Sequence, residues 1–179
     1  MTEPAYLRIT RASYDTVAAD YAEILRTELG HRPLDRAMLA AFVELVQASD
    51  AGPVADIGCG PGRVTGHLQS LGLTARGIDL SPEMIAVARR THPDLRFDVG
   101  SMNALDLEDG SLGGIIAWYS IIHTPPELLP ASWRRWPRSR VIMRRTRLGP
   151  PVGRPTCAGP APQREPGHVT CLHVLPPPP

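Results

Sequence analysis

The sequence predicts an α/β protein built on a doubly wound, mostly parallel sheet with helices on both faces. Three observations support this prediction. A buried strand runs into a glycine-rich loop and a helix at residues 54–63, an acid ends the next strand at residues 77–80, and strands and helices then alternate. Open α/β sheets bind ligands at the carboxyl ends of their strands, so the loop and the acid mark the expected site.

Two amphipathic helices precede the predicted sheet. The first spans residues 12–28 and has Val17, Tyr21, Ile24 and Leu25 on one stripe, which we expect to be its buried face. A second, at about residues 33–48, begins with proline in its first turn, where the missing N–H is tolerated.

The sheet and its crossover helices follow. We predict four strands, at residues 53–57, 74–80, 95–99 and 113–120, and two helices between them, at 63–71 and 81–91. Ser81-Pro82-Glu83 gives the second of these helices an N-cap, a first-turn proline and an early acid. Another helix begins at residues 125–129.

The last quarter of the chain has a different composition. Residues 1–130 carry ten arginines against seventeen acidic residues, whereas residues 131–179 carry nine arginines against Glu165 alone and eleven of the twenty prolines. We therefore expect one domain at residues 1–130, with helices at 10–50 and the sheet core at 53–130. Residues 131–179 are predicted to be a disordered or non-native tail, which leaves the sheet incomplete and its fourth strand exposed at an edge.

A shift of reading frame would explain this change. All nineteen basic residues are arginine and Asn103 is the one asparagine, which indicates a GC-rich gene. Read one base earlier, GC-rich codons for Trp-Arg-Arg-Trp-Pro at 133–137 can encode Leu-Ala-Glu-Val-Ala, which would continue the helix that begins before it. We hypothesise a frameshift near Ala131, which the underlying DNA would test.

Bulk properties limit the remaining possibilities. The net charge is +1, no run is apolar enough to span a bilayer, and the N-terminus lacks a secretory pattern, so we expect a cytoplasmic protein without a membrane partner. The three cysteines form no C-x-x-C pair, and the irregular spacing of His168, Cys171 and His173 argues against a metal site. The arginines of residues 134–147 would attract nucleic acid without specificity. The oligomeric state stays open.

The glycine-rich loop reads Asp56-Ile-Gly58-Cys-Gly60-Pro-Gly62-Arg63. A dinucleotide fingerprint needs a small residue where Arg63 stands, because helix and strand pack closely there. Asp56 also adds negative charge beside the loop, which is unfavourable for a pyrophosphate and favourable for a cationic ligand.

The segments at residues 56–62 and 77–84 closely resemble the first and second motifs of the class I S-adenosylmethionine-dependent methyltransferases, of the small-molecule type. The resemblance covers about residues 10–130 and implies a Rossmann-like fold, S-adenosylmethionine as the cofactor, and a small-molecule methyl acceptor that the sequence does not identify. The sulfonium of this cofactor is a strong electrophile, so in-line positioning can supply most of the acceleration.

The resemblance also implies roles for individual residues. Asp56 would face the ammonium end of the cofactor, and Asp79 would accept hydrogen bonds from both ribose hydroxyls, a contact of about 1.5–3 kcal/mol. The loop under the ligand comprises Gly58, Cys59, Gly60 and Gly62.

Other positions have two interpretations. Leu80 and Met84 would pack on the adenine faces, although Met84 fits a core position equally well, and Ser101 and Met102 would lie at the adenine edge. Trp118 would wall the site beside the methyl group or fill the end of the sheet. Tyr14 would cover the ligand or pack its helix on the sheet, and His123 is a candidate general base or an ordinary turn histidine. Every one of these residues lies in the predicted domain.

Three other functions compete with methyl transfer. A nucleotide-dependent oxidoreductase is disfavoured by Asp56 and Arg63. A truncated, non-catalytic cofactor-binding fragment follows from the expected loss of the C-terminal strands. A nucleic-acid binder that acts through the basic tail would bind with a steep dependence on salt.

Overall fold

In a computed structural model of the chain, the described residues are 3–48, 52–129, 136, 140–144 and 173–175. The helices are α1 (Ala5–Leu25), α2 (Pro33–Gln47), α3 (Arg63–Ser70) and α4 (Pro82–Thr91), with 3-10 turns at Glu28–His31 and Ile121–His123. The strands are β1 (Val54–Ile57), β2 (Ala75–Asp79), β3 (Arg96–Val99), β4 (Gly114–Trp118), β5 (Arg140–Arg144) and β6 (His173–Leu175).

The strands form one sheet in the order β3-β2-β1-β4-β5-β6. Strands β1 to β5 are parallel to their neighbours, and β6 runs antiparallel to β5. The chain winds outward from β1 through β2 to β3 and then returns to place β4 on the other side of β1. The predicted fold class is therefore confirmed, and a crevice opens where the strand order reverses, between β1 and β4.

Strands β1 and β4 form the buried centre of the sheet. Every residue of both strands is buried, as expected for parallel strands covered on both faces. Helix α2 packs closely on β4, because Gly114 has no side chain there. A Cβ at Gly114 would lie 2.8 Å from Cζ of Phe42.

Helix α1 begins seven residues earlier than the sequence pattern predicts and packs on α4. Ala18 is buried in a cluster with Met84 and Val87. The predicted apolar stripe is wrong in part, because Val17 and Ile24 are 42% and 74% exposed. The aromatic rings of Tyr14 and Tyr21 pack beside Ala18 and turn the buried face of the helix away from those residues. None of the described helices is long and apolar enough to cross a membrane.

The expectation that no strand follows β4 is wrong. Strand β5 pairs in parallel with β4, with Ile142 opposite Ile116, so β4 is not an edge. The apolar run Val141-Ile142-Met143 is only three residues long and lies among arginines, which hid it in the sequence. Trp136 is also buried, and its Nε1 donates to the Met102 carbonyl at 2.7 Å.

Other predictions for this part of the chain fall only partly within the described residues. Residues 126–128 form a turn, Leu129 is helical, and the remainder of the predicted helix lies outside the described residues. His168, Cys171 and most of the predicted tail also lie outside the described residues. The domain boundary at residue 130 and the frameshift stay predictions.

Candidate functional site

A cavity of about 370 Å³ lies at the carboxyl ends of β1 to β4, and α1 covers it. Its size falls in the range of pockets that enclose small organic ligands, roughly 300–1,000 Å³. Eleven of the thirteen residues predicted for the site line it. These are Gly58, Cys59, Gly60, Asp79, Leu80, Met84, Ser101, Met102, Trp118, Tyr14 and His123.

The glycine-rich loop forms the centre of the cavity wall. Gly58, Gly60 and Gly62 all have positive φ angles, of 73°, 54° and 83°, which residues with a Cβ rarely adopt. The Gly58 N–H donates to the Ile78 carbonyl at 2.7 Å, and a Cβ at Gly58 would overlap Cβ of Ser120. The loop is therefore held tightly between β2 and the end of β4.

Asp79 is the carboxylate that ends β2, and the backbone fixes its orientation. Its Oδ2 accepts from the Gly60 N–H and its Oδ1 from the Ser81 N–H, both at 2.8 Å. Burial raises the pKa of Asp79, and the two N–H donors oppose that shift. Each carboxylate oxygen has further acceptor capacity, so a ligand with two hydroxyls can bind here.

Asp56 lies behind the loop rather than in the cavity. Its side chain is 1% exposed, and its Oδ2 accepts from the Thr65 hydroxyl at 2.7 Å. Burial raises its pKa to about 7, against the effect of the Thr65 hydrogen bond. Asp56 thus connects β1 to α3. Asp56 and Gly62 are the two predicted site residues that the structure does not bring to the cavity.

The other wall lies at the ends of β2 and β3. Leu80 and Met84 present apolar surface, and Met84 is 1% exposed, so it is both a core and a cavity residue. The Asn103 N–H donates to Oγ of Ser101 at 3.3 Å, and its Nδ2 donates to the Tyr6 hydroxyl at 2.7 Å. This last hydrogen bond attaches the start of α1 to the loop that follows β3.

Tyr14 and His123 meet across the top of the cavity. The Tyr14 hydroxyl lies 2.7 Å from Nε2 of His123, and the two rings are edge to face with centroids 5.3 Å apart. Burial, followed by the charges of Tyr21 and Asp79, raises the pKa of Tyr14 to about 12, and burial lowers the pKa of His123. Both groups are therefore neutral near pH 7, so the imidazole can accept a proton.

The end of β4 forms the last wall. Tyr119 has a φ of 59°, a left-handed conformation that costs a non-glycine residue about 1–2 kcal/mol. Its ring lies edge to face with Trp118, at 6.0 Å between centroids. Its hydroxyl donates to Oδ2 of Asp35 at 3.4 Å. Strain of this kind concentrates at functional sites, where the surrounding structure holds it.

Sequence reasoning missed several residues of the cavity. Some lie on α1, whose lining positions 6, 7, 10, 11, 14, 21 and 25 follow a helical spacing that starts before the predicted helix. Others are charged or polar groups for which the chain offers no local signal. The residues missed include Tyr6, Arg11, Glu28, Arg32, Arg63 and Ser120.

Comparison with known proteins agrees with this geometry. A family model described as a methyltransferase domain matches residues 54–139. Trans-aconitate 2-methyltransferase of Escherichia coli is 56% identical over 46 residues, which cover 25% of this chain and 18% of that protein. The dTDP-3-amino-3,6-dideoxy-alpha-D-glucopyranose N,N-dimethyltransferase of Streptomyces fradiae is 33% identical over 106 residues, 58% of this chain and 38% of that one. The chain thus spans less than two fifths of either relative.

Solved structures show the same fold. Magnesium protoporphyrin IX methyltransferase from Synechocystis PCC 6803, crystallised with bound SAM, superposes with a TM-score of 0.64 at 18% identity, over 83% of this chain and 79% of that one. Residues 54–139 are therefore a methyltransferase domain. This domain match and the shared fold agree with the resemblance to class I S-adenosylmethionine-dependent methyltransferases that the two motifs indicate.

Proposed function

We propose that this chain binds S-adenosylmethionine and transfers its methyl group to a small-molecule acceptor. One observation supports this most directly: Asp79, held by two backbone N–H groups, faces a cavity at the switch point of a methyltransferase domain. The relatives that match the chain are named for small acceptors, an organic acid and an amino sugar nucleotide.

The cavity fits the cofactor part by part. Asp79 would accept hydrogen bonds from the ribose diol, and the glycine at position 60, whose Cβ direction is open, lets a ligand approach the backbone. The apolar side chains of Leu80 and Met84 would pack on the adenine ring. Ser101 and Met102 would lie at its edge, at the end of β3.

Tyr14 and His123 would act on the acceptor. A nitrogen or hydroxyl nucleophile loses a proton as the methyl group arrives, and the neutral imidazole of His123 would accept it. Tyr14 would orient that ring through the 2.7 Å hydrogen bond. Trp118 would exclude water beside the reacting sulfonium.

A cytoplasmic location and the absence of a specific nucleic-acid partner belong to the same proposal. They rest on composition, namely three cysteines without a C-x-x-C pair and a net charge of +1. We also propose that residues 1–130 form the functional unit, because all the predicted site residues lie there. Sequencing the gene tests this part: an intact methyltransferase-like frame through residue 131 would reject the frameshift.

A non-catalytic cofactor-binding protein is the second candidate, because the chain matches less than two fifths of its curated relatives. A thermal melt with S-adenosylhomocysteine and a transfer assay with S-adenosylmethionine and panels of small acids and amines separate the two. At about 100 times the dissociation constant, binding should stabilise the fold by roughly 2.7 kcal/mol. Binding with transfer supports the proposal, binding without transfer to any acceptor supports the second candidate, and no binding contradicts both.

A further inference from the structure

Three charged side chains form a cluster at one end of the cavity. Glu28 lies in the 3-10 turn after α1, and Arg63 is the first residue of α3, directly after the glycine-rich loop. Nη1 of Arg63 lies 3.2 Å from Oε2 of Glu28, and Nη2 of Arg32 lies 3.2 Å from Oε1 of the same carboxylate. All three side chains line the cavity.

This cluster differs from an ordinary surface ion pair. The side chains of Arg63 and Glu28 are 17% and 24% exposed, whereas the Arg26–Glu23 pair at the C-terminal end of α1 is 69% and 72% exposed and lies outside the cavity. Nη1 of Arg63 is enclosed and makes no well-aligned hydrogen bond within the described residues, beyond its ion contact with Glu28. Since enclosed donors without an aligned partner are costly, an anionic ligand group at this end would be stabilising.

The order of the strands shows which part of the cofactor would reach the cluster. Under the proposed function, the adenine lies at the end of β3 and the ribose at Asp79, at the end of β2. The next strand in the sheet is β1, and the loop that follows it leads into Arg63. The remaining part of the cofactor, its zwitterionic amino-acid end, therefore lies towards the Glu28 cluster.

Asp56 does not compete for this part of the cofactor, because Thr65 binds its carboxylate and its side chain is 1% exposed. Within the described residues, Asp79 and Glu28 are the two carboxylates that line the cavity. With Asp79 assigned to the ribose, Glu28 is the acid available for an ammonium group.

We propose that Glu28 binds the ammonium group of the cofactor and that Arg63, with Arg32, binds its α-carboxylate, an assignment that rests on the proposed function. Each oxygen of Glu28 can accept more than one hydrogen bond, so the ammonium group can bind without displacing either arginine. The cluster has two positive charges and one negative charge, and the α-carboxylate balances the second arginine. Charge-assisted hydrogen bonds of this kind are the strong ones in proteins.

The test compares two ligands by calorimetry. S-adenosylhomocysteine has the amino-acid end, and 5′-methylthioadenosine lacks it but keeps the adenine and the ribose. Glu28→Gln and Arg63→Met should each lower the affinity for S-adenosylhomocysteine at least 10-fold and change that for methylthioadenosine less than 2-fold. Arg32→Gln, at a side chain that is 44% exposed, should give a smaller loss with the same selectivity and leave the fold intact. Glu23→Gln, in the exposed pair, is the matched control and should change neither affinity.

Each result has a distinct meaning. If the Glu28 and Arg63 variants lose both ligands equally, the cluster supports the loop rather than the ligand, and the proposal is overturned. Unchanged affinity for S-adenosylhomocysteine in the Glu28, Arg63 and Arg32 variants overturns it as well. If the unmodified protein binds neither ligand, the proposed function itself fails. If it binds both with equal affinity, the cofactor assignment survives and the amino-acid site does not.

Discussion

The two sides of the cavity are built in different ways. We call the glycine-rich loop at residues 58–62 together with Asp79 the floor, and the cavity-facing side chains of α1 the roof. Backbone groups hold the floor, as in the 2.8 Å hydrogen bond from the Gly60 N–H to Asp79. The roof is attached through side chains, as in the contacts of Tyr14 with His123 and of Tyr6 with Asn103, both at 2.7 Å.

Because the floor and the roof are held in different ways, we expect them to have different roles. The floor is rigid because backbone groups hold it. Only a ligand that matches its fixed hydrogen-bond donors and acceptors can bind there, so we expect the floor to determine which cofactor binds. A roof held by a few side-chain hydrogen bonds can open at a lower cost than the sheet, so we expect it to admit ligands and to contact the acceptor. Substitutions in the floor should therefore change stability or cofactor affinity, and substitutions in the roof should change turnover.

The largest effect is expected for Gly58→Ala in the floor. A Cβ there would overlap Cβ of Ser120, and the φ of 73° is unfavourable for alanine, so we expect a loss of about 2–4 kcal/mol in the free energy of unfolding. Urea unfolding of the free protein measures it. Gly60→Ala is the matched control, because its φ is also positive but nothing lies within 4 Å of the added Cβ. Equal losses for the two variants would mean that backbone strain alone matters and that the contact with Ser120 does not.

Asp79→Asn should have the next largest effect, on cofactor affinity. Removing the charge proposed to accept from the ribose hydroxyls should weaken S-adenosylhomocysteine binding about 10- to 100-fold, from about 1.5–3 kcal/mol per charged hydrogen bond. Because burial raises the pKa of Asp79, binding by the unmodified protein should also weaken as the pH falls, before ordinary carboxylates titrate. Calorimetry across pH checks both expectations. Asp98→Asn, at a half-buried acid on β3 outside the cavity, should leave affinity and its pH dependence unchanged. The same loss there would exclude a specific role for Asp79.

Tyr14→Phe tests the roof, with a smaller effect that appears in turnover. We expect kcat to fall about 10-fold, because His123 loses the partner that orients it, while the affinity for S-adenosylhomocysteine stays within 3-fold. His123→Asn should lower kcat further. The double variant should be no slower than His123→Asn alone, because the two residues are proposed to act as one unit. Additive losses would show that Tyr14 and His123 act separately.

The floor could be predicted from the sequence and the roof largely could not. Gly58, Gly60 and Asp79 belong to two short segments whose local pattern defines a strand, a turn and a strand end. The roof depends on contacts between distant parts of the chain, such as Tyr14 with His123, 109 residues apart. Glu28 and Arg63 show the same limitation, since no local pattern indicates that a turn after α1 meets the start of α3.

The structure differs from the sequence-based predictions in two further places, because a local pattern determines neither the direction of a side chain nor a long-range strand pairing. A motif fixes the position of Asp56 in the chain but not the direction of its side chain, and Thr65 on α3 draws that carboxylate to the far side of the loop. Strand β5 was missed because its apolar run is short, and its pairing with β4 is a long-range contact that local composition does not reveal.

Asp56→Asn is expected to have the smallest effect on binding. It distinguishes the role that the motif implies for Asp56, contact with the ammonium group, from the role seen in the structure, the connection of β1 to α3. An asparagine can still accept the Thr65 hydrogen bond, so S-adenosylhomocysteine affinity should stay within about 3-fold, as expected for a side chain outside the cavity. The substitution should instead change how the free energy of unfolding depends on pH. The folded pKa of about 7 lies above the ordinary 3.8, so folding binds a proton between these values, and the contribution of Asp56 to stability declines as the pH rises through that range. Urea unfolding from pH 4 to 8 should show a shallower decline in the variant. A loss of affinity of 10-fold or more would instead return Asp56 to the ammonium group and weaken the case for Glu28.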